Sequence, residues 1–210
     1  MARSAELKLC FYGDDITGST DATEALVLAG VPTVLFLEPP TLARVKADFP
    51  HIQAVGLAGM SRTMTPVEMD AALSGAFSSL KALGAPVTHY KVCSTFDSSP
   101  SVGSIGRAAE IGMDVFRSPL VPVVVGAPRL KRYVVGGNLF AAMGDITYRI
   151  DRHPVMSKHP VTPMDESDLR IHLGRQTGKK IGLLDFRHLA APQADVDAFL
   201  QTLVAEGVEI

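Results

Sequence analysis

The sequence has no tryptophan, two cysteines and few aromatic residues, with four tyrosines and nine phenylalanines in 210 positions. Cys10 and Cys93 are too few for a disulfide framework and too far apart in sequence for a metal knuckle. Neither sign of charge dominates. Twenty Lys and Arg stand against 22 Asp and Glu, a formal net charge of −2, and no block of like charge occurs. That balance gives no reason to expect nucleic acid or a membrane surface as partner. No apolar stretch approaches the ~20 residues that cross a bilayer. The first six residues carry one positive charge and lead into a single short apolar run, which is no leader pattern. Internal repeats and low-complexity segments are lacking too. What is present is 47% hydrophobic residues and a mean hydropathy of +0.21, enough for one well-packed core. The expectation is a cytoplasmic protein with a single α/β domain over residues 1–210.

The apolar pattern alternates between strand-like and helix-like stretches. Leu7–Tyr12, Thr33–Leu37, Ile52–Ala58, Pro86–Lys91, Val121–Gly126 and Lys180–Asp185 read as strands. Val208–Ile210 reads as the start of another, which suggests a fragment. Helices are expected from about Asp21 to Leu28, with Asp21 as cap and Gly30 as stop, and from Pro66 to about Leu83. The second has Thr65 and Glu68 as a capping box, with proline at its first position. Further helices are expected up to about Phe116, from Thr162-Pro163-x-Asp165 to about Gln176, and from Pro192 to about Glu206. Residues 127–163 break the rhythm. There Gly136-Gly137 sits between Arg132–Val135 and Asn138–Ala141 as a tight hairpin, and Ile146–Arg152 could add a strand. Alternating strands and helices predict a three-layer α/β/α sandwich with a mostly parallel, Rossmann-like sheet and a small hairpin excursion.

In open sheets of this kind, ligands bind beyond the carboxyl ends of the strands. The polar clusters fall there: Gly13-Asp14-Asp15-Ile16-Thr17-Gly18-Ser19, then Ser61-Arg62, then Lys91 to Ser99, then Arg129. Parallel strands would bring all four to one edge. Arg62 can grip a carboxylate with two N–H bonds, and Lys91 adds a point charge. Asp14 and Asp15 accept hydroxyl protons, and Ser94 and Thr95 supply further donors and acceptors. A small molecule with one carboxylate and several hydroxyls matches that set. The plainer alternatives are that Asp14-Asp15 caps the next helix and that Arg62 and Lys91 form surface ion pairs.

Sharper motifs fail on spacing. Gly174-Arg-Gln-Thr-Gly178-Lys179-Lys180 imitates a phosphate loop but is one residue short, lacks the hydroxyl residue after lysine, and precedes a strand. Basic residues at a helix end explain it better. Cys93 lacks the arginine six positions on that a phosphatase needs, because Ser99 stands there. His153 and His159 lie six apart with no nearby cysteine, so no metal site is expected. His89 precedes Lys91 in an alternating strand and shares its face.

With these residues in view, Gly13-Asp14-Asp15-Ile16-Thr17-Gly18-Ser19-x-Asp21 resembles the A-D-D-[FL]-T-G-[AS]-x-D opening of the four-carbon acid sugar kinase family. Ser61-Arg62 is similar to that family's T/S-R step. Tyr90-Lys91-Val92-Cys93-Ser94-Thr95-Phe96-Asp97-Ser98 resembles the loop of its 3-oxo-tetronate kinase branch, and His159-Pro160-Val161-Thr162-Pro163-Met164 is loosely similar to D-P-x-x-P-V. Gly13 departs from the usual alanine. The resemblance implies ATP- and Mg²⁺-dependent phosphorylation of threonate, erythronate or a 3-oxo-tetronate. It implies that this chain holds the acid sugar, while a C-terminal domain without counterpart here holds the nucleotide. Asp14 and Asp15 would be catalytic. Thr17, Gly18, Ser19, Arg62, Lys91, Cys93, Ser94, Thr95 and Asp97 would contact substrate, with a homodimer as a candidate assembly. A non-catalytic sensor for small acids, or an enzyme using the crevice for a nucleotide, are the alternatives.

Overall fold

A computed structural model describes residues 6–210; residues 1–5, which carry most of the segment judged for a leader, lie outside the described residues. The chain packs as two compact units. One runs to Cys93 and takes in Asp114–Arg117; the other comprises Ser94–Met113 and Ser118–Ile210.

The first unit is built on four parallel strands, β1 (Leu9–Gly13), β2 (Thr33–Phe36), β3 (Ala54–Ala58) and β4 (Val87–Lys91), in the order β2-β3-β1-β4. Cys10, Phe11 and Tyr12 of β1 are buried, as a strand with neighbours on both sides and helices over the sheet requires. In the register, Gly13 stands opposite both Ala58 and Lys91, so three strands end level. The chain leaves β1 for β2 and β3 on one side and returns to β4 on the other. The strand order therefore reverses at the carboxyl end of β1, where such sheets open a crevice.

Helix α1 (Ile16–Leu28) begins five positions before the expected Asp21. The reason is Asp15, which has extended backbone angles and accepts the Gly18 N–H on its side chain, a cap that satisfies one of the orphan amides of the first turn. Thr17, Gly18 and Ser19 thus lie in a helical turn. Helix α2 (Leu42–Asp48) was not anticipated; Thr41, just after the Pro39-Pro40 pair, caps it by accepting the Arg44 N–H. Helix α3 (Pro66–Ala82) starts with both halves of the Thr65–Glu68 capping box in place. Its Phe77 meets Tyr12 and Tyr90 edge-on at 6.0 and 5.9 Å, while the two tyrosine rings stack 5.8 Å apart. Such contacts add to the area they bury and tie α3 to β1 and β4. Gly13 has a local reason as well: a Cβ there would lie 1.9 Å from Ser19 Oγ and 3.0 Å from its Cα. Glycine lets the first turn of α1 sit directly on the end of β1.

The second unit carries an antiparallel sheet, β5 (Arg132–Val135), β6 (Asn138–Met143) and β7 (Ile146–Arg149). Gly136 and Gly137 have φ of 57° and 86°, the left-handed pair that a two-residue hairpin needs. Strand β7 stops at Arg149, short of the expected Arg152, and a single 3₁₀ turn follows. The unit also holds α4 (Ile105–Phe116) up to Met113, with α5 (Leu169–Gly174), α6 (Phe186–Leu189) and α7 (Gln193–Ala205). Leu139, Ala141, Ile150 and Met164 are fully buried within it.

Three expected strands do not form as regular strands. Among the described residues Val121–Gly126 pairs only through Val121, whose N–H donates to Glu209 O, while Lys180–Asp185 and Val208–Ile210 meet in a short contact, Glu209 N–H donating to Lys180 O and Gly182 N–H to Ile210 O. Pro122 has no N–H to give to a ladder. Arg129 consequently belongs to a short 3₁₀ turn of the second unit, not to a strand end. The helix expected from Thr162 begins only at Leu169, capped by Asp168. The architecture is mixed α/β: a parallel sheet flanked by helices, plus a small antiparallel sheet. Among the described residues no helix is long and apolar enough to cross a membrane.

Candidate functional site

At the carboxyl end of the parallel sheet, β1, β3 and β4 deliver Asp14 and Asp15, Ser61 and Arg62, and Lys91. Asp14 is 5% exposed. Its amide donates to Lys91 O at 3.0 Å and its carbonyl accepts the Arg62 amide at 3.1 Å, so the backbone of Asp14 stitches the three strand ends together. Burial, together with the Asp14 carboxylate nearby, pushes the Tyr12 and Tyr90 phenols above their ordinary range; both rings stay neutral. Tyr90 and Ser61 share a hydroxyl–hydroxyl bond of 2.9 Å.

Asp15 divides its two oxygens. Oδ1 caps α1, and Oδ2 accepts from Arg62 Nη1 at 2.7 Å. The side chains of that ion pair are 29% and 27% exposed, so the guanidinium is oriented by the protein yet reachable from solvent. Lys91 is half-buried, donates from Nζ to Val92 O at 2.7 Å, and lies 3.1 Å from where a Cβ on Gly18 would stand. A side chain at position 18 would push the ammonium away. Two cations therefore flank the N-terminus of α1, whose own amides favour negative charge. Of the other expected contacts, Thr17 is exposed, and Cys93 is half-buried. Ser19 is fully buried with its hydroxyl donating to Asp15 O at 2.6 Å, which makes it a support of the turn.

In the second unit, Ser94 is half-buried while Thr95 and Asp97 are 7% and 4% exposed. Between them Phe96, itself buried, adopts φ of 56°, a left-handed backbone that costs an L-residue roughly 1–2 kcal/mol. The Asp97 carboxylate accepts the Thr95 hydroxyl on Oδ1 at 2.5 Å and the Thr162 hydroxyl on Oδ2 at 3.0 Å. Thr162, in turn, stands 3.0 Å from His159 Nδ1. Ser98 bonds His172 Nε2 at 3.0 Å and accepts from Gln176 Nε2 at 2.8 Å. Thr162, His159 and His172 were not among the anticipated site residues. For His159 and Thr162 the visible signal was the stretch His159–Met164, with Pro160 and Pro163, that is loosely similar to D-P-x-x-P-V; His172 carried none. Among the described residues no three His, Cys, Asp or Glu side chains gather to hold a metal ion.

The profile of the sugar-binding N-terminal domain family matches residues 9–210. The chain belongs to that family. It is 54% identical over 206 residues to a 3-oxo-isoapionate kinase of Paraburkholderia graminis, covering 98% of this chain and 43% of that protein. It is 34% identical over 198 residues to a 3-oxo-tetronate kinase of Burkholderia multivorans, covering 94% and 44%. Among solved structures, one described as a putative tRNA synthase from Salmonella typhimurium superposes with a TM-score of 0.86 at 27% identity, over 98% of this chain and 46% of that one. The chain thus spans less than half the length of these relatives. They bear out the resemblance to four-carbon acid sugar kinases.

Proposed function

We propose that this chain is the acid-sugar-binding domain of an ATP-dependent kinase, and that its ligand is a small 3-oxo sugar acid of the isoapionate or tetronate type. The observation that carries this is the pairing of Arg62 with Asp15 beside Lys91, at the level ends of β1, β3 and β4. A guanidinium oriented by an ion pair and still 27% exposed can meet a ligand carboxylate. Lys91 supplies the other positive charge. Asp14, buried against neutral phenols, would accept the proton or the hydrogen bond of the reacting hydroxyl. Cys93, half-buried at the end of the stretch that follows β4, would line the approach.

Phosphoryl transfer depends mainly on positioning and on neutralising charge, and a rigid domain that grips the acceptor suits it. The nucleotide and its Mg²⁺ are assigned to the part of the longer relatives that this chain does not span. When bound, they supply the phosphoryl group; this chain's residues bind and orient the acceptor. The test is a calorimetric titration with threonate. Arg62→Ala should weaken binding about 10- to 100-fold, the worth of a charged hydrogen bond, and Lys91→Met should weaken it as well. Unchanged affinity in both variants would refute the assignment.

A further inference from the structure

The order β2-β3-β1-β4 puts β1 between the two strands that lead to the cations, so ladder bonds join β3 and β4 through β1. Backbone bonds just beyond the strand ends run the same way. Gly59 N–H donates to Gly13 O at 2.9 Å, Arg62 N–H to Asp14 O at 3.1 Å, and Asp14 N–H to Lys91 O at 3.0 Å. A side-chain bond crosses that gap directly: Ser61 and Tyr90, 29 positions apart, share their hydroxyl–hydroxyl bond at 2.9 Å. Each stands immediately before a cation, Ser61 before Arg62 and Tyr90 before Lys91.

The surroundings make this bond firm. Ser61 is fully buried, so water does not replace a partner that its hydroxyl loses. Burial pushes the Tyr90 phenol well up, so its hydroxyl keeps its proton at neutral pH. The Tyr90 ring is held independently, stacked on Tyr12 at 5.8 Å and edge-on to Phe77 at 5.9 Å. Tyr12 lies against the start of the same turn, where a Cβ on Gly59 would meet its phenol oxygen at 1.9 Å, and it also bonds Ser61. Loss of the Tyr90 hydroxyl alone therefore leaves the turn before Arg62 tied to β1 and unties it from β4.

We infer that Tyr90 and Ser61 are positioning residues whose hydroxyl bond sets the spacing of Arg62 and Lys91, and with it the grip of this unit on a ligand carboxylate. The inference rests on the acid-sugar reading above and adds to it the pair that fixes the distance between the two cations. Spacing matters because a charged hydrogen bond weakens steeply once its length or angle departs from the optimum.

The experiment measures threonate binding to the whole chain by calorimetry. Tyr90→Phe keeps the ring and removes the hydroxyl; it should weaken binding about three- to tenfold, the worth of one hydrogen bond. Ser61→Ala should weaken it at least as much, and adding Tyr90→Phe should then cost nothing more, because the same bond is already gone. In Arg62→Ala, too, Tyr90→Phe should make no further difference. An unmoved affinity in Tyr90→Phe overturns the inference, and so does a loss that persists in the Ser61→Ala or Arg62→Ala background. If the unaltered chain binds no threonate, the acid-sugar reading fails, and proton–nitrogen NMR of the Arg62 Nε–H decides the spacing claim separately. That signal should move in both Tyr90→Phe and Ser61→Ala. A signal indifferent to either substitution overturns the claim.

Discussion

Arg62 and Asp15, 47 positions apart in sequence, meet at 2.7 Å through Nη1 and Oδ2, and the same carboxylate caps α1 through Oδ1. One side chain thus fixes both the start of a helix and the direction of a guanidinium. The two tasks separate by substitution. Asparagine is as good a cap as aspartate but cannot neutralise arginine. The part-exposed pair is itself worth at most about 1 kcal/mol. Asp15→Asn should therefore lose less than about 1 kcal/mol in urea denaturation, and it should hold anionic ligands at least as tightly, because one negative charge is removed from beside Arg62. Asp15→Ala should lose about 1–2 kcal/mol more through the missing cap.

Gly13 gives a purely steric test. A methyl group there meets Ser19 Oγ at 1.9 Å and the Ser19 backbone at 3.0 Å, and Ser19 is fully buried. Gly13→Ala should destabilise the fold by about 1–3 kcal/mol, the usual cost of overpacking, as read by chemical denaturation. The double variant Gly13→Ala, Ser19→Ala should recover part of that loss. Full stability in the single variant would mean that α1 can lift off the end of β1.

Much of the fold was legible in the sequence because the signals were local. β1 and β3 are apolar runs with polar exits; the Gly136-Gly137 turn and the Thr65–Glu68 capping box are written in nearby residues. The errors arose where a local signal was outweighed by a distant partner. Val121–Gly126 has strong β character, yet a strand needs a neighbour along its length, and among the described residues only Val121 finds one, at Glu209. Thr162 looked like a helix cap, but its hydroxyl goes to Asp97, 65 positions away. Pro39-Pro40 read as a break and hid Thr41, the cap of α2. The Asp14, Arg62 and Lys91 cluster could be anticipated because parallel strands align their ends. The His159–Thr162–Asp97 chain could not, since nothing in residue order brings an irregular loop to that carboxylate.

The cysteines should differ in reactivity. Cys10 is fully buried in β1, and burial pushes its thiol up to about 11, so thiolate is scarce at neutral pH. Cys93 is half-buried. Native protein treated with iodoacetamide should be labelled at Cys93 first, with Cys10 reacting only on unfolding. Equal rates, followed by mass spectrometry, would show that the sheet opens readily.

His172 sets a pH dependence. Burial chiefly, with Arg175 adding to it, lowers its affinity for a proton below the ordinary value of 6.5. The unfolded chain then binds a proton that the folded one refuses, so stability is fully present above about 6.5 and declines as pH falls below it. A histidine NMR titration should find His172 uncharged where an exposed histidine is already half-protonated. A His172 midpoint at or above 6.5 would contradict its burial beside Ser98 and Phe96.

The central claim is that the ends of β1, β3 and β4 hold a small hydroxylated acid. Its most direct test is a thermal-shift panel of threonate, erythronate, ATP and NAD, because a ligand that binds only the folded state raises the apparent melting temperature. The account predicts a dose-dependent rise with the tetronic acids that disappears in Arg62→Ala, and none with either nucleotide. A rise with ATP or NAD and none with the acids would contradict it.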